Sequence, residues 1–368
     1  MRVGILTFHR AENYGAVLQC FALQETLKRL NYQVEVLDYR SSKLTKDYKL
    51  YSTDYLDRNS WKSLLKSLVI QLLILPFRLK RKISFNRFVA CNLNLSHWHG
   101  RNISNLPDNY DAFVIGSDQV WNLRYCVGVD DLYLGYIPFP KGQHKIISYA
   151  ASMLKPPISD RYYKDFFRKV LNRFDAISVR ETDKRDFLQP LTSQPIKVVL
   201  DPTLLLDKEQ WDTISRSPST SKKFVLVYQV RINSNALRIA RVIAQSLKAD
   251  VIEITSDIMF SYKKGNRVVS PSRFLGYFRE ASFIVTSSFH GTAFSVIYRK
   301  PFYSLRLHDS GDERSDNLLK QLGLESRMID LDTMPKIQFV DYSGIENRLQ
   351  RLRSDSIAFL KEALAWKK

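Results

Sequence analysis

The side chains in this chain that could do chemistry gather in four short polar turns, each close to an apolar run. The last is Ser288-Phe289-His290-Gly291-Thr292; the others are Ser178-Val179-Arg180-Glu181, Gly116-Ser117-Asp118 with Trp121-Asn122, and Asn13-Tyr14-Gly15. An imidazole gives or takes a proton near neutral pH, so His290 is a candidate acid/base. A guanidinium such as that of Arg180 matches a carboxylate or phosphate in a two-point contact. Asp118 can accept a proton, or can cap the following helix as an Asx turn. Each residue also has a structural reading: His290 bonded within its loop, Arg180 ion-paired beside Glu181, Tyr14 and Trp121 in the core.

What must position these turns is a repeated strand–turn–helix unit. Residues 3–8 are a compact apolar run, 9–15 a polar turn, and 16–30 carry apolar residues at helical spacing before a second strand at 33–37. That is a βαβ unit. Further strands are expected at 110–117, 146–150, 176–179 and 198–200, with a helix at 162–174. A polar stretch at 215–223 then separates a second alternation, with strands at 224–229, 251–254, 283–286 and 302–305 and helices at 233–247, 272–280 and 293–298. The expected fold class is α/β, with two facing doubly wound, Rossmann-like domains and a cleft between them. The boundaries read as 1–210, 222–340 and a closing helical piece at 341–368, its helix running over 344–366 with Ile345, Leu349, Leu352, Ile357, Leu360 and Leu364 on one face. In open parallel sheets ligands bind beyond the carboxyl ends of the strands, and helix starts there attract anions; the polar turns fall at such places.

The 368 residues suffice for two cores, and 45% hydrophobic with 25% charged residues is a globular composition. A net charge of +19 points to an anionic partner: a phosphorylated small molecule, an acidic membrane surface or nucleic acid. Cys20, Cys91 and Cys126 form no CxxC pair, which excludes a Cys-rich zinc site and a disulfide framework and reads as buried thiols in a reducing compartment. No apolar run reaches the ~18 residues of a spanning helix, and the first one is too short for a signal peptide, so a cytoplasmic location is expected. No GxGxxG follows a strand, and neither a Gly-Lys-Ser/Thr loop nor a GxSxG elbow occurs. His97 and His99 alternate in a loop without further metal-ligand spacing, so no metal or cofactor is expected.

The segment 59–107 stands apart. It has no Asp or Glu, carries Lys62, Lys66, Arg78, Lys80, Arg81, Lys82, Arg87 and Arg101, and sets Leu64, Leu65, Leu68, Leu72, Leu73 and Leu75 at helical spacing, with a break expected at Pro76. It reads either as a basic amphipathic helix lying on an anionic membrane or as an insertion packed on the domain with a solvated basic face.

Taken in order, Asn13-Tyr14-Gly15-Ala16 with Leu18-Gln19, Gly116-Ser117-Asp118-Gln119-Val120-Trp121-Asn122, Tyr149-Ala150-Ala151-Ser152, Ser178-Val179-Arg180-Glu181, Leu200-Asp201-Pro202-Thr203, His290-Gly291-Thr292 and Lys300-Pro301-Phe302 resemble the polysaccharide pyruvyl transferase family over most of the chain. The resemblance implies a GT-B-like pair of domains, acceptor-side first and donor-side second. It implies phosphoenolpyruvate as donor and a pyruvate ketal formed across two hydroxyls of a glycan, polyprenyl-pyrophosphate-linked or polymeric, at the inner face of the cell membrane. By motif, His290 is the acid or acid/base; Asp118, at the end of a first-domain strand, either takes the acceptor's proton as the base or caps the next helix. Arg180, Ser288, Gly291 and Thr292 belong to the donor site, and Asn13, Tyr14, Trp121 and Asn122 to the acceptor site, beside His9 and Arg10. Ser288 stands where many members carry Arg, so a second cation is expected from Arg231, Arg306 or Arg314. Two rival readings are a GT-B glycosyltransferase using a nucleotide sugar, whose base- and ribose-holding residues are not in evidence, and a nucleic-acid-binding protein, for which no recognition motif is present; no nucleic-acid partner is expected.

Overall fold

The computed structural model describes residues 1–50, 60–100, 103–154, 161–218, 220–255, 268–309, 311–334 and 336–365. Asn59, Arg101 and Trp366 lie outside the described residues. The apolar runs of the first half become strands because parallel strands covered on both faces need apolar residues at every position. β1 (Arg2–Leu6) is followed by α1 (Tyr14–Arg29), β2 (Gln33–Tyr39), the short α2 (Ser42–Lys46), α3 (Trp61–Asn92) and β3 (Leu95–Gly100). β4 (Ala112–Asp118), β5 (Lys145–Ala151), α4 (Arg161–Leu171), β6 (Ala176–Val179), α5 (Thr182–Leu188) and β7 (Ile196–Val198) complete the first unit. Among the described residues its sheet is parallel, in the order β3-β2-β1-β4-β5-β6-β7. The strand order reverses between β1 and β4, so the loops after these two strands diverge and open a crevice.

The second unit repeats the pattern. After α6 (Lys208–Asp212) come β8 (Phe224–Gln229), α7 (Ser234–Leu247), β9 (Asp250–Thr255), α8 (Pro271–Glu280), β10 (Phe283–Thr286), α9 (Phe289–Ile297), β11 (Phe302–Arg306), α10 (Asp312–Leu322) and β12 (Met328–Asp330). This sheet is also parallel, in the order β12-β11-β10-β8-β9, and reverses between β8 and β10. The fold is two Rossmann-like units with a GT-B-like layout. The last helix, α11 (Ser343–Leu364), returns to the first unit: Ser356 Oγ accepts from Leu200 N at 2.9 Å, Lys145 Nζ donates to Ala363 O at 3.0 Å, and Phe359 lies 6.3 Å from Tyr149. One apolar cluster runs from Val3 and Val114 in the first sheet to Leu226 and Ile284 in the second, so the units share a core.

Four expectations need correction. α3 runs unbroken through Pro76, because burial of Ile74 and Gln71 before it and of Arg81, Phe85 and Phe88 after it outweighs the one hydrogen bond that proline removes. α9 begins at Phe289, four residues earlier than its apolar repeat suggests, so His290 stands in the first helical turn. His97 and His99 sit on edge strand β3 rather than in a loop. Cys20 and Cys126 are buried, whereas Cys91 is exposed on α3.

Candidate active site

The two points where strand order reverses face each other, and the cleft between them holds about 240 Å³. The first unit contributes Phe8, Ala11 and Asn13 after β1 and Asp118 and Gln119 at the end of β4; the second contributes Val230 and Arg231 after β8 and Ser287, Ser288 and His290 after β10. Leu307, Asp309 and Arg314 close the second side. Two helices start here. Asn13 caps α1, accepting from Ala16 N, and Ser288 precedes α9. Their first-turn amides carry partial positive charge, which favours an anion in the cleft.

His290 is buried, and the two helix starts meet at its ring: a Cβ on Gly15 would fall 2.0 Å from His290 Nδ1. Glycine at position 15 is therefore what lets the second unit's imidazole lie against the first unit's helix. His290 Nε2 lies 3.8 Å from Asp201 Oδ2 and has no hydrogen-bond partner among the described residues. Asp201 is fully buried and bonded on all sides, accepting from Thr203 N at 3.0 Å, Thr203 Oγ1 at 2.7 Å, Ser117 Oγ at 3.0 Å and Arg180 Nη1 at 2.8 Å. Burial pushes its carboxyl upward, but His290 and the Arg180 charge outweigh burial and hold it well below the usual carboxylate range.

Arg180 is 3% exposed and does not line the cleft itself. Its Nε donates to Glu181 Oε1 at 2.9 Å, its Nη2 stands 3.8 Å from Asp118, and its guanidinium stacks 4.5 Å over the ring of Phe289, which separates it from the cleft. Burial works against the charge, yet Glu181, Asp201 and Asp118 raise its affinity for its proton. Arg180 thus ties Asp118 on one side of the cleft to Asp201 beside His290.

Three arginines were open to replace the missing cation at 288. Arg306 is committed to Asp316 by two hydrogen bonds, at 2.9 and 3.0 Å, and does not line the cleft. Arg231 lines the rim, paired with Asp309. Arg314 lines the cleft with its Nε buried and no hydrogen-bond partner for it among the described residues. Burial and the like charge of Arg180 lower its hold on its proton, and Asp118, Glu181 and Asp309 counter them. A cation in that position is stabilised by an incoming anion.

Other expected site residues lie elsewhere. Tyr14 is buried at the junction of the units, stacked 4.3 Å on Phe274 and donating to Val269 O at 2.9 Å. Trp121 packs on Phe174, 5.5 Å between ring centres, and Asn122 bonds Gln119 within its own turn. These three are not at the cleft, so they do not form an acceptor surface there. Gly291 and Thr292 fasten α9 to the sheet: a Cβ at 291 would meet Thr286 Oγ1 at 2.1 Å, and Thr292 Oγ1 bonds Ser304 at 2.9 Å. His9 and Arg10 both bind Asp38 instead of facing the cleft. Phe8, Tyr48 and Tyr125 line the first unit's side and were not singled out from the sequence. Tyr48 and Tyr125 stand in irregular loops with no periodicity to mark them. Ser287, whose buried Oγ lacks a partner among the described residues, was passed over beside Ser288. Asp201 carried a visible signal, Asp-Pro-Thr after a strand, which reads as a cap.

Among the described residues no group of three His, Cys, Asp or Glu side chains is placed to hold a metal ion. No curated protein sequence matches the chain. Solved structures similar to it include a putative UDP-N-acetylglucosamine 2-epimerase from Listeria monocytogenes, at 10% identity over 99% of this chain and 91% of that one, TM-score 0.45. The UDP-GlcNAc 2-epimerase of Methanocaldococcus jannaschii is similar at 10% identity over 95% and 92%, TM-score 0.44, and the spinosyn rhamnosyltransferase SpnG at 11% identity over 99% of both chains, TM-score 0.41. The sequence profile described as Polysaccharide pyruvyl transferase matches residues 13–309, a span that includes the cap of α1, the β4 turn, Arg180, Asp201 and His290, and the chain belongs to that family.

Proposed function

We propose that the cleft binds phosphoenolpyruvate and transfers its three-carbon unit to two hydroxyls of one glycan residue, releasing phosphate and leaving a pyruvate ketal. One observation carries the reading: Arg314, whose buried Nε has no hydrogen-bond partner among the described residues, shares a cleft with His290 and Asp118, where two helix starts converge. The donor's carboxylate and phosphate meet Arg314, the rim cation Arg231, the hydroxyls of Ser287 and Ser288 and the first-turn amides. His290 protonates the enol methylene, which makes that carbon a methyl group and leaves an oxocarbenium centre. A glycan hydroxyl adds to that centre and gives its proton to Asp118; phosphate then leaves, and the second hydroxyl takes its place and gives its proton to His290, which the first step left neutral. Arg180 does not touch the donor in this scheme and acts as a positioning residue for Asp118 and Asp201.

The acceptor lies on the first unit's side, where Phe8, Tyr48 and Tyr125 offer ring faces to a sugar in place of Tyr14, Trp121 and Asn122. Asn13, at the cap of α1, borders both halves. The glycan we favour is a lipid-linked precursor of a surface polysaccharide, handled at the cytoplasmic side of the membrane; no described helix is long and apolar enough to cross one. The test is incubation with phosphoenolpyruvate and a panel of galactose, glucose and mannose acceptors. Acceptor-dependent phosphate release with an acid-labile ketal in the product mass is the expected result, and consumption of a nucleotide sugar with phosphoenolpyruvate untouched would contradict it.

A further inference from the structure

α3 has two apolar faces, and the fold covers one. Ile74, Phe85, Phe88 and Val89 turn inward, with Phe85 5.2 Å from Tyr14 and Phe88 6.4 Å from Phe21. On the other side Trp61, Leu65, Val69, Leu72, Leu79 and Ile83 are left 39% to 71% exposed. At roughly 100° of turn per residue these six fall within an arc of about 80°, on a stripe about 33 Å long. Seven of the fifteen large apolar residues exposed among the described ones lie on this helix, so the stripe is not scattered surface variation. A helix apolar on opposite faces has a second partner.

The charge pattern says which partner. Lys62, Lys66, Lys80 and Arg87 are exposed along one edge of the stripe, and residues 59–107 contain no acidic residue to neutralise them. A second copy seated on the stripe would bring no acidic side chain from this helix to meet these basic residues. An anionic bilayer meets both features, taking the apolar side chains into the boundary between headgroups and acyl chains and the ammonium and guanidinium ends to its phosphates. We infer that the outer stripe of α3 docks this protein on an anionic membrane surface, with the helix axis in the plane of the membrane. The inner face of the same helix touches the loop that borders the cleft, since the Arg81 guanidinium bonds Glu12 O, one residue before the cleft-lining Asn13. Docking through α3 therefore holds the acceptor side of the cleft beside the membrane. The inference rests on the exposed face of α3 and is measurable without turnover.

The experiment is co-sedimentation of the full chain with phosphatidylglycerol-containing vesicles and with pure phosphatidylcholine vesicles. Two variants are compared with wild type: Leu65→Ser with Leu72→Ser and Ile83→Ser, and Lys62→Glu with Lys66→Glu and Lys80→Glu. Wild type binds the anionic vesicles, less so as salt rises, and each triple variant loses at least tenfold in partitioning while circular dichroism is unchanged. Either of two results overturns the inference. One is equal binding of wild type and both variants, or none by wild type. The other is a concentration-dependent oligomer of wild type that the Ser variant converts to monomer, which would assign the stripe to a second copy.

Discussion

At the scale of single residues, the cleft is defined by what is left unpaired. Arg180 looks like an anion binder in the sequence because it ends a strand, yet Glu181 and Asp201 already hold its Nε and Nη1, and it does not line the cleft. Arg314 gives no such signal, lying within the polar face of α10, and only the fold shows that its guanidinium turns into the cleft beside Asp118. One charge-assisted contact contributes about 1.5–3 kcal/mol. Arg314→Ala is therefore expected to raise the Michaelis constant for phosphoenolpyruvate by about tenfold to a hundredfold, measured by phosphate release, with a much smaller change in the acceptor constant. An unchanged donor constant would remove Arg314 from the donor site.

At the scale of elements, the apolar runs that made the strands legible are the same runs that the parallel sheets bury. Residues 224–229 and 283–286 were expected as strands and are β8 and β10. Less legible was where helices begin. The polar sequence Ser288-Phe289-His290 hides the first turn of α9, because capping is a matter of backbone geometry and not of apolar period. β3, β12 and α10 were missed as well: the first two are short edge strands, and the third is a largely polar helix whose few buried residues give a weak pattern. The Asn13-Tyr14-Gly15 turn was recognisable as a motif, but its reason is tertiary, since Gly15 leaves room for His290. Gly15→Ala should displace the imidazole and lower turnover at least tenfold. Local helix stability should hold or rise, because alanine is favoured over glycine in a helix by about 1 kcal/mol. Full activity in this variant would show that the contact between the helix starts does not matter to the chemistry.

At the scale of the molecule, one buried carboxylate joins the two units. Asp201 takes a hydrogen bond from Ser117 of β4 in the first sheet and stands next to His290 of the second unit, while α11 crosses back to the backbone at Leu200. The carboxyl is held below its ordinary value, so its contribution to stability is present above the unfolded pKa of about 3.9 and is lost as pH falls from there toward the folded value. Asp201→Asn should flatten the acid limb of stability below about pH 4, read by thermal unfolding across pH. It should also cost about 3–5 kcal/mol near neutrality, since Arg180 loses a buried partner. A limb as steep as that of wild type would show that Asp201 does not control acid unfolding. The reaction assigned to the whole cleft is tested most directly by running wild type and His290→Gln in deuterium oxide with phosphoenolpyruvate and an acceptor, and following the mass of the ketal. One deuterium in the new methyl group, one phosphate released per ketal, and a rate at least about a hundredfold lower for His290→Gln are expected. Undiminished turnover by His290→Gln, or a ketal whose methyl group carries no deuterium, would contradict that reaction.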